Sequence, residues 1–171
     1  MQEKINNLVR PEIRALAAYH VPEAADMIKL DAMENPWSWP DELRDAWLEA
    51  LKAAEINRYP DPSARTLQAG MRRVMDVPDA AAVILGNGSD ELIQMIIQAV
   101  AAPGRVVLAP EPTFVMYRQI AAVAGMEFAA VPLQEDFSLQ QDALLSAIDA
   151  RKPAVIFLAY PNNPTGNLFD A

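Results

Sequence analysis

From Ala80 onward the chain repeats one grammar, and that grammar restricts the fold more than any other feature. Four short, β-branched apolar runs, "AAVILGN", "RVVLAP", "EFAAVPL" and "PAVIFLAY", are each bounded by Gly or Pro. Runs of this length and flanking read as buried strands. Helical patterns separate them. Leu92, Ile93, Ile96, Ile97 and Val100 share one face after Ser89, and Val115, Ile120, Ala121 and Ala124 form a looser one. A third pattern, Leu144, Leu145 and Ile148, follows what reads as a capping box of Ser138 and Gln141. Strand alternating with helix predicts right-handed βαβ units, an α/β fold and a mainly parallel sheet flanked by helices.

Before Ala80 the texture is irregular and rich in Pro and Trp. Helical stripes recur only at Leu43, Trp47, Ala50, Leu51 and Ala54 and at Leu67, Met71 and Val74, and both are read as core-facing. The adjacent basic pair, Arg72 and Arg73, is read as a solvated helix face. Composition narrows function by exclusion. A net charge of −9 argues against nucleic acid, whose phosphates need clustered Lys and Arg. With 0 Cys and the single His20, disulfides and nitrogen or sulfur metal sites are not expected, so the metal expectation is none. No apolar run reaches the ~18 residues of a membrane helix. The N-terminus, "MQEKINNLVRPEIRAL", lacks a signal-peptide core, and a cytoplasmic protein is the plain reading.

Parallel sheets bind ligands at the carboxyl ends of their strands. The chemistry is therefore sought just after Leu85, Ala109, Leu133 and Ala159. The first loop, "GNGSDE", has glycines for tight backbone and Ser89 as a candidate N-cap. Free amides at such a helix start bind anions. It is neither the dinucleotide fingerprint, whose third Gly position holds Glu91, nor a Walker loop. Asp90 and Glu91 equally suit a first turn with no ligand, because acids there complement the helix dipole.

The second loop, "PEPTFVMY", is stiffened by Pro110 and Pro112, with Thr113 as a candidate cap. It brings Phe114 to the sheet edge, either as core or as a face for a flat ring. In the fourth, "YPNNPTG", Pro161 and Pro164 fix two φ angles around Asn162 and Asn163. Their amides can donate to a phenolate or carboxylate, or simply shape a turn.

Taken as a set, "NRYPDPSARTL", "GNGSDE", "PEPTFVMY" and "YPNNPTG" resemble, in order and spacing, the pyridoxal-phosphate-dependent aminotransferases of fold type I. "IRALAAYH" and "IKLDAMENP" resemble the N-terminal segments of the histidinol-phosphate subfamily, so the likeness covers nearly the whole chain. It implies an N-terminal arm over 1–35, part of a small domain and connecting helices over 36–79, and the first half of a large cofactor domain over 80–171.

It implies pyridoxal 5'-phosphate as cofactor, with Asn163 on its phenolic oxygen and Phe114 stacked on its pyridine ring. The Ser89 and Asp90 amides would hold its phosphate, which Tyr59 would touch from the neighbouring subunit of a homodimer with shared sites. Tyr19 and Asn35 are expected to contact substrate, an amino donor that exchanges its amino group with 2-oxoglutarate. Met33 and Trp37-Ser38-Trp39 depart from the subfamily's pattern near the expected substrate entrance.

The family's pyridinium Asp, Schiff-base Lys and phosphate-binding Arg all follow the Pro-Thr-Gly loop. Lys4, Lys29, Lys52 and Lys152 stand in no matching context. The catalytic lysine is therefore expected beyond Ala171, with the chain as an N-terminal half. Rival readings are an aromatic aminotransferase, a threonine-phosphate decarboxylase, and a non-catalytic α/β phosphate-binding module.

Overall fold

The computed structural model describes residues 2–17, 23, 26–28 and 34–169. Its elements in chain order are α1 (Gln2–Leu8), α2 (Pro11–Arg14), α3 (Asp41–Lys52), α4 (Arg65–Val74), α5 (Ser89–Val100) and β1 (Val106–Glu111). Then follow α6 (Met116–Val123), β2 (Glu127–Pro132), α7 (Gln141–Arg151) and β3 (Val155–Ile156). No described helix is long and apolar enough to cross a membrane. The chain divides into two compact units, one of residues 1–23 and 86–171 and the other of residues 24–85.

The first unit is built on a parallel sheet of order β2-β1-β3. The chain leaves β1 toward β2 through α6, then crosses back past β1 to β3 through α7. Two crossovers of the same hand running in opposite directions must lie on opposite faces of a sheet. The packing agrees. Val107 and Ala109 of β1 face Ile93 and Ile97 of α5 with Tyr117, Ile120 and Ala121 of α6. Leu108, between them in sequence, points the other way to Val131 of β2 and Leu144 of α7. Strand period two thus makes three layers, and β1 is buried on both faces from Val106 to Pro110.

The chain start is tied to this unit next to α2. The Arg10 guanidinium donates to the Val123 carbonyl at the end of α6. Gly125, with φ +74°, allows that approach, since a Cβ there would meet Arg10 Nη1 at 2.8 Å.

The other unit is held differently. Neither α3 nor α4 has a buried residue, so the two apolar stripes read as core-facing are uncovered among the described residues. Local polar contacts dominate. Asp61 receives the Ser63 and Arg65 backbone amides at 3.1 Å each and the Arg65 Nε at 3.0 Å, which fixes the turn into α4. Arg72, expected on a solvated face, instead folds its guanidinium onto the carbonyls of Pro78 and Ala81.

One predicted strand does not form. Residues 82–85 of "AAVILGN" pair with no described strand, and Ile84 is 74% exposed. Apolar, β-branched character favours a pleated backbone, but a strand exists only where a neighbour offers its ladder groups. "PAVIFLAY" contributes a strand of two residues, extended by the Phe157 amide donating to Leu108 O at 2.9 Å.

Candidate cofactor site

Three stretches identified in the sequence converge on the sheet-bearing unit. The helix start comes first. Gly88, at φ +83°, is the N-cap of α5, and Ser89 is its first helical residue rather than its cap. The turn is closed from within, by the Glu91 carboxylate accepting the Asn87 amide. Gly86 lies close to α5, and a Cβ there, 2.9 Å from Leu92 Cγ, would force the Leu92 side chain to shift. No side chain caps α5, so the Ser89 and Asp90 amides, which have no intrahelical acceptor, remain open to an anion.

Phe114 lies just past the carboxyl end of β1, half-buried against the core cluster that includes Ile93 and Ile97 of α5. It meets Tyr117 edge-on, centroids 5.6 Å apart, and Tyr117 in turn stacks on Phe157 at 4.6 Å. That packing fixes the Phe114 ring. Burial also pushes the Tyr117 hydroxyl above its ordinary pKa.

The loop after β3 joins the Phe114 loop through Asn162, which is 0% exposed. Asn162 Nδ2 donates to Pro112 O at 3.0 Å and Thr165 Oγ1 at 2.7 Å, and its Oδ1 accepts from Thr113 Oγ1 at 3.1 Å. The sequence reading gave Asn162 and Asn163 the same freedom to donate to a ligand. Asn162 has none left. Asn163, half-buried, makes no side-chain hydrogen bond within the described residues, so its amide is available. Thr113, expected as a helix cap, is instead Asn162's donor, and Val115 is the N-cap of α6.

The remaining expected residues do not join this group. Tyr59 and Asn35 belong to the other unit, where Tyr59 is fully exposed and Asn35 Oδ1 accepts the Trp37 amide at 3.0 Å. Tyr19 and Met33 lie outside the described residues. A cavity of about 690 Å³ lined by Gln134, Asp136, Gln140, Asp142 and Asn167 includes neither Phe114 nor Asn163 in its lining, although Asn167 closes the Asn162 loop. What sequence reasoning missed is the joining role of Thr113, Asn162 and Thr165. Its one signal was a chain of prolines that cannot donate across the gap.

Open helix-start amides, an unbonded neutral amide and a fixed aromatic ring suit one kind of ligand. It carries an anionic group and a flat ring bearing an oxygen acceptor. With this arrangement on the sheet's carboxyl edge, the class follows: the chain belongs to the aminotransferase class I and II family, whose model matches residues 25–171.

Its relatives are more particular. The chain is 59% identical over 170 residues to a histidinol-phosphate aminotransferase 2 of Nitrosococcus oceani, covering 99% of this chain and 47% of that one. To a histidinol-phosphate aminotransferase of Thiocapsa roseopersicina it is 56% identical over 172 residues, covering 100% of this chain and 91% of the other. The chain spans about half the length of most of the curated relatives it matches. Among solved structures it resembles the histidinol-phosphate aminotransferase of Sinorhizobium meliloti, determined with pyridoxal-5'-phosphate, at a TM-score of 0.74. That match, at 23% identity over 91% of this chain and 43% of the other, is a likeness of fold.

Proposed function

We propose that the protein carrying this chain is a pyridoxal-phosphate-dependent aminotransferase that moves an amino group between histidinol phosphate and 2-oxoglutarate. Identities of 59% and 56% to relatives of that name support the substrate class. The observation that carries the cofactor reading is the pairing of loops at the carboxyl edge. Asn163's unbonded amide and Phe114's fixed ring stand on adjoining loops stitched together by Asn162.

Pyridoxal phosphate, when bound, supplies an electron-withdrawing ring that accepts the electron pair released at the amino donor's α-carbon. The chain's residues bind and orient that ring. The Ser89 and Asp90 amides hold the phosphate at the α5 start, where the helix dipole favours negative charge. Phe114 stacks on one face of the ring and fixes its plane. Asn163 donates to the phenolic oxygen and favours its ionised form. Tyr59, fully exposed in its own chain, donates to the phosphate bound by a second copy in a homodimer. Tyr19 and Asn35 contact the substrate.

The test is a substrate panel on the protein made as its gene encodes it. With pyridoxal phosphate and 2-oxoglutarate present, glutamate should form fastest from histidinol phosphate. Faster turnover of phenylalanine or tyrosine would move the protein to the aromatic group. Release of carbon dioxide from threonine phosphate would make it a decarboxylase. No turnover and no cofactor binding would leave a non-catalytic phosphate-binding module.

A further inference from the structure

We infer that Asn162 is a positioning residue, which sets the gap between Phe114 and Asn163 and so the fit of the ring they grip. This rests on the cofactor reading above and goes beyond it. The problem it solves is visible in the backbone. Pro112, Pro161 and Pro164 have no N–H, and the β1–β3 ladder ends with the Phe157 amide. Past that point no backbone hydrogen bond joins the two loops among the described residues. A side chain bridges them instead.

Asn162 is suited to this because its amide both donates and accepts. Each bond has a defined direction. The Thr113 hydroxyl donates to Oδ1, and Nδ2 donates to Pro112 O and to the Thr165 hydroxyl. That hydroxyl in turn donates to Asn167 Oδ1, and Asn167 Nδ2 donates to Phe137 O at 2.8 Å. The Asn162 backbone closes its own loop, with its N–H on Asn167 O at 2.9 Å and its carbonyl receiving the Gly166 amide at 2.7 Å. Among the described residues, no buried side-chain polar atom lacks a partner.

The consequence is local and directional. Thr113 precedes Phe114, and Asn162 precedes Asn163, so the Thr113–Asn162 bond joins the immediate neighbours of both gripping residues. Aspartate at 162 would turn a carboxylate toward the Pro112 carbonyl, and alanine would take the donor from that carbonyl and from the Thr165 hydroxyl and the acceptor from the Thr113 hydroxyl. Either change frees one loop to drift from the other while the sheet and both core clusters stay intact.

The experiment uses the protein as its gene encodes it, stripped of cofactor and titrated with pyridoxal phosphate. Binding is read by equilibrium dialysis, and the ring's setting by its visible circular dichroism. Asn162→Ala should weaken binding by about tenfold or more, as loss of buried hydrogen bonds at a gripping loop implies, and change the dichroic band. Val131→Ala, in the core cluster on the opposite face of the sheet, should lower the melting temperature yet leave affinity and dichroism unchanged. Thr113→Ser keeps the hydroxyl and should match the parent, whereas Thr113→Val should fall between parent and Asn162→Ala.

Unchanged binding in Asn162→Ala overturns the inference, as does an equal loss in Val131→Ala. If Asn162→Ala does not fold, the Thr113 pair decides, and equal affinities for its Ser and Val forms overturn the inference. A parent that binds no pyridoxal phosphate overturns the cofactor reading and this inference with it. A parent that binds, with variants that bind equally, overturns this inference alone.

Discussion

The two units of the chain contrast in what holds them. The sheet-bearing unit buries Val107, Leu108, Ala109 and Ile97 completely, with helices closing both faces of β1. The helical unit of residues 24–85 has equally clear apolar stripes, yet Leu67 is 56% and Val74 75% exposed. Its order comes from polar clamps, with Asp61 on Arg65 and Arg72 on Pro78 and Ala81. Periodicity therefore reports which face of a helix is apolar, and says nothing of what covers that face.

The sharpest way to break this contrast is a pair of truncations. Leu108→Ala opens a cavity between two packed layers and should cost about 2–5 kcal/mol. Leu67→Ala, on the uncovered face of α4, should cost less than about 0.5 kcal/mol. Chemical denaturation of both variants measures the difference. A comparable loss at Leu67 would show that its stripe is covered in solution.

A smaller effect separates the units by ligand rather than by stability. Asn163→Ala in the sheet-bearing unit should weaken pyridoxal phosphate binding by about 1.5–3 kcal/mol, the worth of a hydrogen bond to a charged oxygen, with little change in melting. Tyr59→Phe should weaken it comparably if the helical unit completes a partner's site. Dialysis of the two variants side by side tests this. A loss in Asn163→Ala alone would confine the grip to the sheet-bearing unit, and earlier melting with unchanged affinity would make Asn163 a turn-former.

The sheet was legible in the sequence because burial on both faces leaves a strong trace. β2 falls within "EFAAVPL" and β1 runs one residue past "RVVLAP", the two forming a parallel pair from Val106 opposite Glu127. The failures share a cause. "AAVILGN" has strand composition without a strand partner, and Ser89, Thr113 and Ser138 have capping chemistry without capping positions. The α7 helix begins at Gln141, past Ser138, whose amide is turned to Asp136 at 2.9 Å. A hydroxyl or amide goes to whichever partner the fold brings nearest. That competition is tertiary and leaves no local mark. Asn162 and Asn163 show it best: two adjacent, identical residues, one fully spent and the other unbonded among the described residues.

Tyr117 ties the comparison to pH. Burial beside Phe114 and Phe157 raises its hydroxyl pKa, so the neutral form is favoured in the folded state. Its contribution is fully present below the unfolded value, about 10, and is lost as pH rises through the higher folded value. Tyr117→Phe keeps the ring stack and should flatten the alkaline fall in stability of the sheet-bearing unit. An unchanged alkaline limb would mean that the hydroxyl reaches water when charged.

The smallest effect should sit in the helical unit, at the acid end. The Arg65 guanidinium, followed by the Arg65 and Ser63 backbone amides, holds the Asp61 carboxyl below the usual range. A carboxylate whose folded pKa is depressed stabilises above its unfolded value, about 3.9, and loses that contribution as pH falls through the folded value. The pair is exposed, with Nε to Oδ2 at 3.0 Å, so salt should shrink the effect. The Arg65 backbone and Nε proton resonances should move together in an acid titration, with a midpoint below that of an ordinary aspartate. Asp61→Asn should abolish that step and loosen the turn into α4, without touching the sheet. If the two Arg65 resonances titrate apart, or at the ordinary aspartate value, the turn is not held by Asp61, and the helical unit draws its order from elsewhere.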